Sequence, residues 1–240
     1  MKELNIPDRL KNRIEDFLKR LQSAYGQELV SVAIYGSAAS SEFIDKHSNI
    51  NFLIVLKDTD CQHLHKATDI IQKFPLFDPI FMTEQYINSS TDIFPIEFLD
   101  MNENNYLLFG KDTLSSIQID TRNLRFQCEQ ELKIKLLSLK SAYLRMHKNK
   151  SVLRSLLFKS ISSILHVSRN LLRLKNKPVP YKKEDIINSL GAEFQINTAL
   201  WKKILDGKFK AIKLSNQETE QVFQDFVKEV ERVADCVDRL

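Results

Sequence analysis

The sequence is poor in residues that cross-link a chain or anchor it in a membrane. Its 240 residues include only three cysteines, which are far apart and form no CxxC pair. This excludes a disulfide framework and a cysteine-rich zinc site, and it predicts a reducing compartment. No apolar run approaches the roughly 20 residues that cross a bilayer, and the first residues lack the apolar core of a signal peptide. We therefore expect a cytoplasmic protein that does not associate with membranes.

Several common motifs of phosphate and metal chemistry are also missing. The chain has no GxxxxGK[ST] loop, no GxGxxG after a strand and no HExxH helix, which excludes the protein classes that depend on them. Cys61, His63 and His65 offer only half of a zinc site, because no second pair of ligands follows at a suitable spacing. We interpret this segment as the beginning of a helix.

Charge is distributed unevenly along the chain. Residues 1–120 contain 11 Lys and Arg against 18 Asp and Glu, whereas residues 121–240 contain 24 against 13. Between residues 122 and 183 there are 16 basic residues and only two acidic ones. Such an excess attracts nucleic acid, triphosphates or an acidic partner. No aromatic or glycine-rich nucleic-acid motif accompanies it, which favours domain packing or solvent exposure over nucleic-acid binding.

Hydrophobic periodicity divides the chain into two domains, residues 1–120 and residues 121–240. The first domain alternates helical patterns with short apolar runs, which predicts an α/β layer structure on a small sheet. The second contains only leucine-rich helical patterns, which predict a basic bundle of about five helices. The predicted strands are Leu29–Tyr35, Ile50–Leu56, Pro79–Thr83 and Phe94–Leu99.

The segment from residue 34 to residue 55, IYGSAASSEFIDKHSNINFLIV, carries the clearest chemical signal. A strand ends at Gly36 and Ser37, and a second strand begins with polar residues at positions 49 and 51. Strand alternation places Asn49 and Asn51 on one face. Glu97 interrupts the later apolar run FPIEFL, and it joins the two asparagines if its strand lies beside theirs.

This arrangement resembles the nucleotidyltransferase superfamily, which includes polymerase β and the aminoglycoside nucleotidyltransferases. In that family a Gly-Ser pair is followed by Asp-x-Asp between hydrophobic residues, and a third acidic residue comes from a later strand. The matching positions are Gly36 and Ser37, then Asn49 and Asn51, and finally Glu97. The fuller pattern also looks like a bacterial branch of the superfamily in which the Asp-x-Asp motif is altered. The resemblance implies a mixed sheet with helices, followed by a helical bundle.

The resemblance also implies a chemistry that this sequence supports only in part. In the family, two Mg²⁺ ions held by the carboxylates bridge the attacking and leaving oxygens of an NTP. Asparagine at positions 49 and 51 removes two charges, so Glu97 is the only anionic ligand at the three expected positions and any metal binding is weak. Asp45 and Asp100 lie nearby in sequence as further carboxylates. Gly36 and Ser37 are expected to bind phosphate oxygens.

Three functions stay open at this point. The first is a catalytically degenerate nucleotidyltransferase-fold protein that binds a nucleotide or a partner in a cleft between its two halves. The second is an active Mg²⁺-dependent enzyme that moves NMP from an NTP to a hydroxyl acceptor. The third is a protein-interaction module that acts as a homodimer or binds a protein partner. In each case nucleic acid is the less expected ligand.

Overall fold

The chain was analysed as a computed structural model that describes residue 4 and residues 6–40, 49–209 and 214–240. It divides into two compact units, Met1–Ile119 and Asp120–Leu240. Within the described residues, the first unit contains a mixed sheet with helices and the second contains helices without strands. The predicted fold class is therefore confirmed. None of the helices in the described ranges combines the length and apolar character that a membrane span requires.

The sheet of the first unit has four strands in the order β3-β2-β1-β4. Strand β1 pairs antiparallel with β2 and β4, and β2 pairs parallel with β3. The parallel pair is joined by a helical crossover, as parallel neighbours require. The strands are β1 (Leu29–Tyr35), β2 (Ile50–Leu56), β3 (Phe77–Met82) and β4 (Asn105–Gly110).

Helices cover both faces of this sheet. The apolar residues of α1 recur at helical spacing and pack on one face, where the Phe17 and Phe52 rings lie 4.8 Å apart. On the other face, Phe98 and Met101 of α5 pack against Leu53 of β2. The helices of this unit are α1 (Asp8–Tyr25), α2 (Cys61–His65), α3 (Thr68–Gln72), α4 (Glu84–Ser89) and α5 (Pro95–Glu103).

One predicted strand is wrong. Phe94–Leu99 forms most of α5, where Pro95 occupies the first helical position and Phe98 donates a backbone hydrogen bond to Phe94. Proline is favoured at that position because its fixed φ suits a helix and its missing N–H would be unpaired there. Residues 95, 98 and 101 are buried, which is the spacing of one face of a helix. In a run this short, the sequence alone does not distinguish that pattern from a buried strand. The fourth strand is β4 instead.

The second unit is a bundle of five helices within the described residues, and its core is apolar. The inner faces of α7 and α10 are almost completely buried, and Trp201 of α9 packs edge-on against Phe226 of α10 with ring centroids 5.5 Å apart. Trp201 itself is 0% exposed. The helices are α6 (Thr121–Met146), α7 (Lys150–Leu174), α8 (Lys183–Phe194), α9 (Thr198–Phe209) and α10 (Asn216–Val237).

Much of the basic stretch is neutralised inside the second unit. Its lysines and arginines pair with acidic residues of the same helix or of a neighbouring helix in the bundle. The pairs include Arg125 and Lys133 with Glu129, Lys135 with Glu131, Lys140 with Glu231, Lys150 with Glu220, and Lys177 with Glu193.

Candidate functional site

The Gly-Ser pair and Asn51 meet at one edge of the sheet. Strand β1 ends at Tyr35 and runs directly into a single 3-10 turn that begins with Gly36 and Ser37. In the antiparallel register Tyr35 lies opposite Asn51 on β2. The exposed Asn49 precedes β2 by one residue. Four of the five predicted site residues are therefore close in the fold.

Gly36 approaches Asn51 more closely than any other residue type would allow without adjustment. Its φ is +76°, and a Cβ built on it would lie 3.2 Å from Nδ2 of Asn51. Its backbone N–H donates a 3.0 Å hydrogen bond to the carbonyl oxygen of Asn104, just before β4. The left-handed conformation and the tight approach both select glycine here. They fix the turn over the amide of Asn51.

The residue paired with Asn51 on the other side is Asp78, which the sequence prediction missed. Asn51 and Asp78 are register partners in the parallel pair of β2 and β3, and neighbouring strands lie about 4.8 Å apart. Register partners share a face, so Tyr35, Asn51 and Asp78 form a row across three strands. Asp78 is exposed, which leaves its carboxylate open to a ligand.

A topological signal could have found Asp78. The sequence prediction began this strand at Pro79, whereas β3 begins at Phe77 and so includes Asp78. A strand that follows β2 through a helical connection commonly lies parallel beside it. Its first residues then lie at the same edge as the first residues of β2.

Glu97 lies elsewhere than predicted. It is exposed in the first turn of α5 rather than on a strand beside β2. Helix α5 packs on the face of the sheet that contains Asn51, but Glu97 has no register position in the sheet. Its role as the third carboxylate stays a prediction, whereas Asp78 is a carboxylate that does lie on a strand beside β2. Asp100 also lies in α5, and Asp45 lies outside the described residues.

The pKa of Tyr35 is affected by its burial and by the charge of Asp78 in the same row. Burial raises the pKa of its hydroxyl to about 12, and the negative charge of Asp78 adds to the effect. An anion beside a phenol opposes its ionisation because two like charges would then be close. The charge of Asp78 therefore reaches across β2 to the end of β1, and Tyr35 stays protonated over the physiological range.

Among the described residues, the row of Tyr35, Asn51 and Asp78 offers few charged donors for a divalent cation. Mg²⁺ prefers charged carboxylates together with substrate phosphates. The row contains one carboxylate, from Asp78, and one amide oxygen, from Asn51, and Asn49 adds a second amide just before β2. A two-metal centre places its ions about 3.5–4 Å apart and needs several anionic ligands to offset their charge. These described residues do not by themselves make up such a centre.

A second acidic cluster in the first unit has a structural explanation. Asp58, Asp60 and His63 bring potential ligand atoms within 4.8 Å of one another. Asp60 already accepts hydrogen bonds of 2.7 Å from the backbone N–H of His63 and pairs at 2.7 Å with its ring Nδ1. These bonds cap α2 and lower the pKa of Asp60. The predicted helix start is confirmed, with Cys61 as its first residue.

Comparison with known proteins supports the fold. No family model and no curated protein matches the sequence. Among solved structures, the crystal structure of spectinomycin adenyltransferase AAD(9) from Enterococcus faecialis with ATP and spectinomycin superposes with a TM-score of 0.61. The identity is 12%, and the match covers 92% of this chain and 99% of that one. The likeness extends over both units, and the chain has a nucleotidyltransferase-like fold.

Proposed function

We propose that this protein binds a nucleotide at the sheet edge formed by Gly36, Ser37, Asn51 and Asp78, and that it transfers nucleotidyl groups weakly or not at all. The observation that carries the proposal is the row in which Asn51 lies between the Gly36 turn and Asp78. This row places a glycine turn, where the resemblance leads us to expect phosphate binding, next to one carboxylate, that of Asp78.

The turn supports phosphate binding. A glycine with positive φ lets a ligand approach the backbone, and successive N–H groups in a tight turn form a concave site for anions. Ser37 follows immediately with a hydroxyl. Triphosphates bring their own Mg²⁺, and Asp78 supplies a carboxylate for that ion. The similar adenyltransferase was crystallised with ATP, which agrees with this assignment.

Weak or absent transfer follows from the two asparagines. An amide does not accept a proton as a carboxylate does, so neither Asn49 nor Asn51 acts as a general base toward an attacking hydroxyl. Among the described residues of the row, Asp78 is the one carboxylate that could hold a metal ion, and metal ions are what offset the negative charge that develops during phosphoryl transfer. The residues at this edge are therefore suited to holding a nucleotide and poorly suited to cleaving it.

Calorimetry with ATP and GTP, with and without Mg²⁺, tests the binding. We expect saturable binding of one nucleotide that is strengthened by Mg²⁺ and weakened by Asp78→Asn. Asp92→Asn is the matched control, because Asp92 is also exposed in the first unit and the charge change is the same. No binding at millimolar nucleotide would favour the interaction-module function instead.

A gain-of-function variant tests the role of position 51. Asn51→Asp places a second carboxylate beside Asp78. We expect Mg²⁺-dependent nucleotide affinity to rise about tenfold or more, because a charge about 4 Å from a divalent cation is worth more than 1.4 kcal/mol even at high dielectric.

A transfer assay separates binding from catalysis. Transfer of label from an α-phosphate-labelled NTP is measured for the wild type and for the double variant Asn49→Asp, Asn51→Asp. Transfer by the wild type would establish the active-enzyme alternative.

A further inference from the structure

A second charged surface lies within the helical unit. A pocket of about 380 Å³ opens beside the first turns of α7 and the end of α9. We call it the basic pocket. It is lined by Ser151, Arg154, Ser155, Phe158, Lys159 and Lys208.

The cations of the basic pocket differ from the paired cations described above. Among the described residues, no carboxylate offsets their charges. Arg154 donates hydrogen bonds only to neutral oxygens, of Thr219 and Asn216, each at 3.2 Å. Lys208 donates a 2.7 Å hydrogen bond to the hydroxyl of Ser162. No carboxylate in residues 6–40, 49–209 or 214–240 forms an ion pair with Arg154, Lys159 or Lys208.

The surroundings of Lys208 disfavour its positive charge. Burial lowers the pKa of its ammonium group, and the like charge of Lys183 lowers it further. By contrast, Lys203, on the same helix, pairs with Glu218 at 3.1 Å. An anion bound in the basic pocket would offset the charge of Lys208 and so favour its protonated form.

We propose that the basic pocket binds a phosphate group. Three cations line this pocket together with Ser151 and Ser155, and a phosphate anion accepts hydrogen bonds from cationic and hydroxyl donors alike. The planar guanidinium of Arg154 matches two phosphate oxygens at once. The ring of Phe158 adds an apolar surface against which the organic part of a phosphate ester packs. The site lies in the second unit, and the sheet edge proposed for nucleotide binding lies in the first.

Calorimetry of the full-length protein with pyrophosphate, in EDTA and without added metal, tests this proposal. We expect saturable binding that Lys159→Gln and Lys208→Gln each weaken by about tenfold, as expected for loss of one charge-assisted contact. The matched control is Lys140→Gln, which removes the same charge from a lysine that is paired with Glu231. It should change the affinity less than about twofold. Fluorescence of the buried Trp201 verifies that each variant is folded.

The outcomes separate this proposal from the nucleotide proposal. Asp78→Asn is expected to leave pyrophosphate binding in EDTA unchanged, while it weakens Mg²⁺-nucleotide binding. A salt series with a labelled single-stranded RNA, competed with pyrophosphate, identifies the source of the phosphate. Competition assigns it to nucleic acid, and absence of RNA binding assigns it to a small phosphate compound. The proposal is overturned if pyrophosphate does not bind, or if Lys140→Gln weakens binding as much as Lys208→Gln.

Discussion

Asn51 and Gly36 depend on each other at the scale of single residues. The amide of Asn51 lies where a Cβ on Gly36 would make a 3.2 Å contact, so the turn accepts this amide only because residue 36 has no side chain. An aspartate at position 51 would have a similar shape but would add a negative charge beside Asp78. The Asn-for-Asp exchange therefore preserves the packing of the turn and alters only its electrostatics.

Three glycines with positive φ allow backbone strain and steric contact to be separated. A Cβ at Gly26 would meet nothing within 4 Å, one at Gly36 would lie 3.2 Å from the Asn51 side chain, and one at Gly110 would lie 2.0 Å from the carbonyl oxygen of Val30. Gly26→Ala should cost about 1–2 kcal/mol from strain alone. Gly36→Ala should cost somewhat more, and Gly110→Ala the most, because backbone must move. Urea unfolding followed by far-UV circular dichroism measures this order, and equal losses would contradict the steric part.

Among the elements, those with an uninterrupted periodic pattern were predictable from the sequence. Strands β1 and β2 have the predicted bounds. The long helices α6 and α7 lie within two residues of 122–148 and 152–175, the ranges that their hydrophobic periodicity predicts. Short apolar runs were not predictable in the same way. The periodicity of FPIEFL fits a strand and a helix equally. Pro95 at the first helical position favours α5, and Phe98 is buried in the same cluster as Leu53. Strand β4 was missed because its side chains are mostly half-buried and alternate weakly.

The same limit explains the candidate site. The Gly36 turn and Asn51 follow from local spacing, which the sequence contains. Asp78 follows from strand order, since it faces Asn51 only because β3 lies parallel beside β2. Strand order is a tertiary property that local spacing does not contain. The predicted strand begins at Pro79, two residues after the start of β3, and therefore excludes Asp78.

Helix α10 begins with a capping box whose contribution depends on pH. Ser215 accepts a hydrogen bond from the backbone N–H of Glu218, and the Glu218 carboxylate accepts one from Ser215 N–H and pairs with Lys203. These bonds lower the pKa of Glu218 to about 2. A lowered folded pKa gives stability that is present above the unfolded value and lost as pH falls through the folded one.

Two variants test this cap. Ser215→Ala should reduce the free energy of unfolding by about 1 kcal/mol, measured by urea titration of Trp201 fluorescence. Glu218→Gln should flatten the pH dependence of stability between about pH 4.5 and pH 2, because the group that titrates there is removed. Ser138→Ala, at an exposed position inside α6, is the matched control and should be neutral or slightly stabilising. An equal loss from Ser138→Ala would contradict the capping argument.

At the scale of the whole molecule, the first half of the sequence is acidic and the second half is basic. Within the second unit, however, many of the positive charges have a carboxylate beside them. The second unit pairs many of its cations with its own carboxylates, and several of these lie on α10. Its apolar core is formed by residues of its own helices α7, α9 and α10, and Trp201 and Phe226 pack together within it. Many of its cations, and its core, therefore find partners within the unit.

A chain of residues 120–240 should consequently fold alone. The only tryptophan of the protein lies in this unit, so its fluorescence reports this fold directly. We expect blue-shifted Trp201 emission and a cooperative urea transition with an m-value of about 1–3 kcal/mol/M. Phe226→Ala removes the ring that packs on Trp201 and should cost about 3–5 kcal/mol, which would shift the midpoint strongly. Emission like that of the denatured chain would show that the core needs residues outside this unit. An unfolding midpoint that Phe226→Ala leaves unchanged would contradict the role of Phe226 in packing the core.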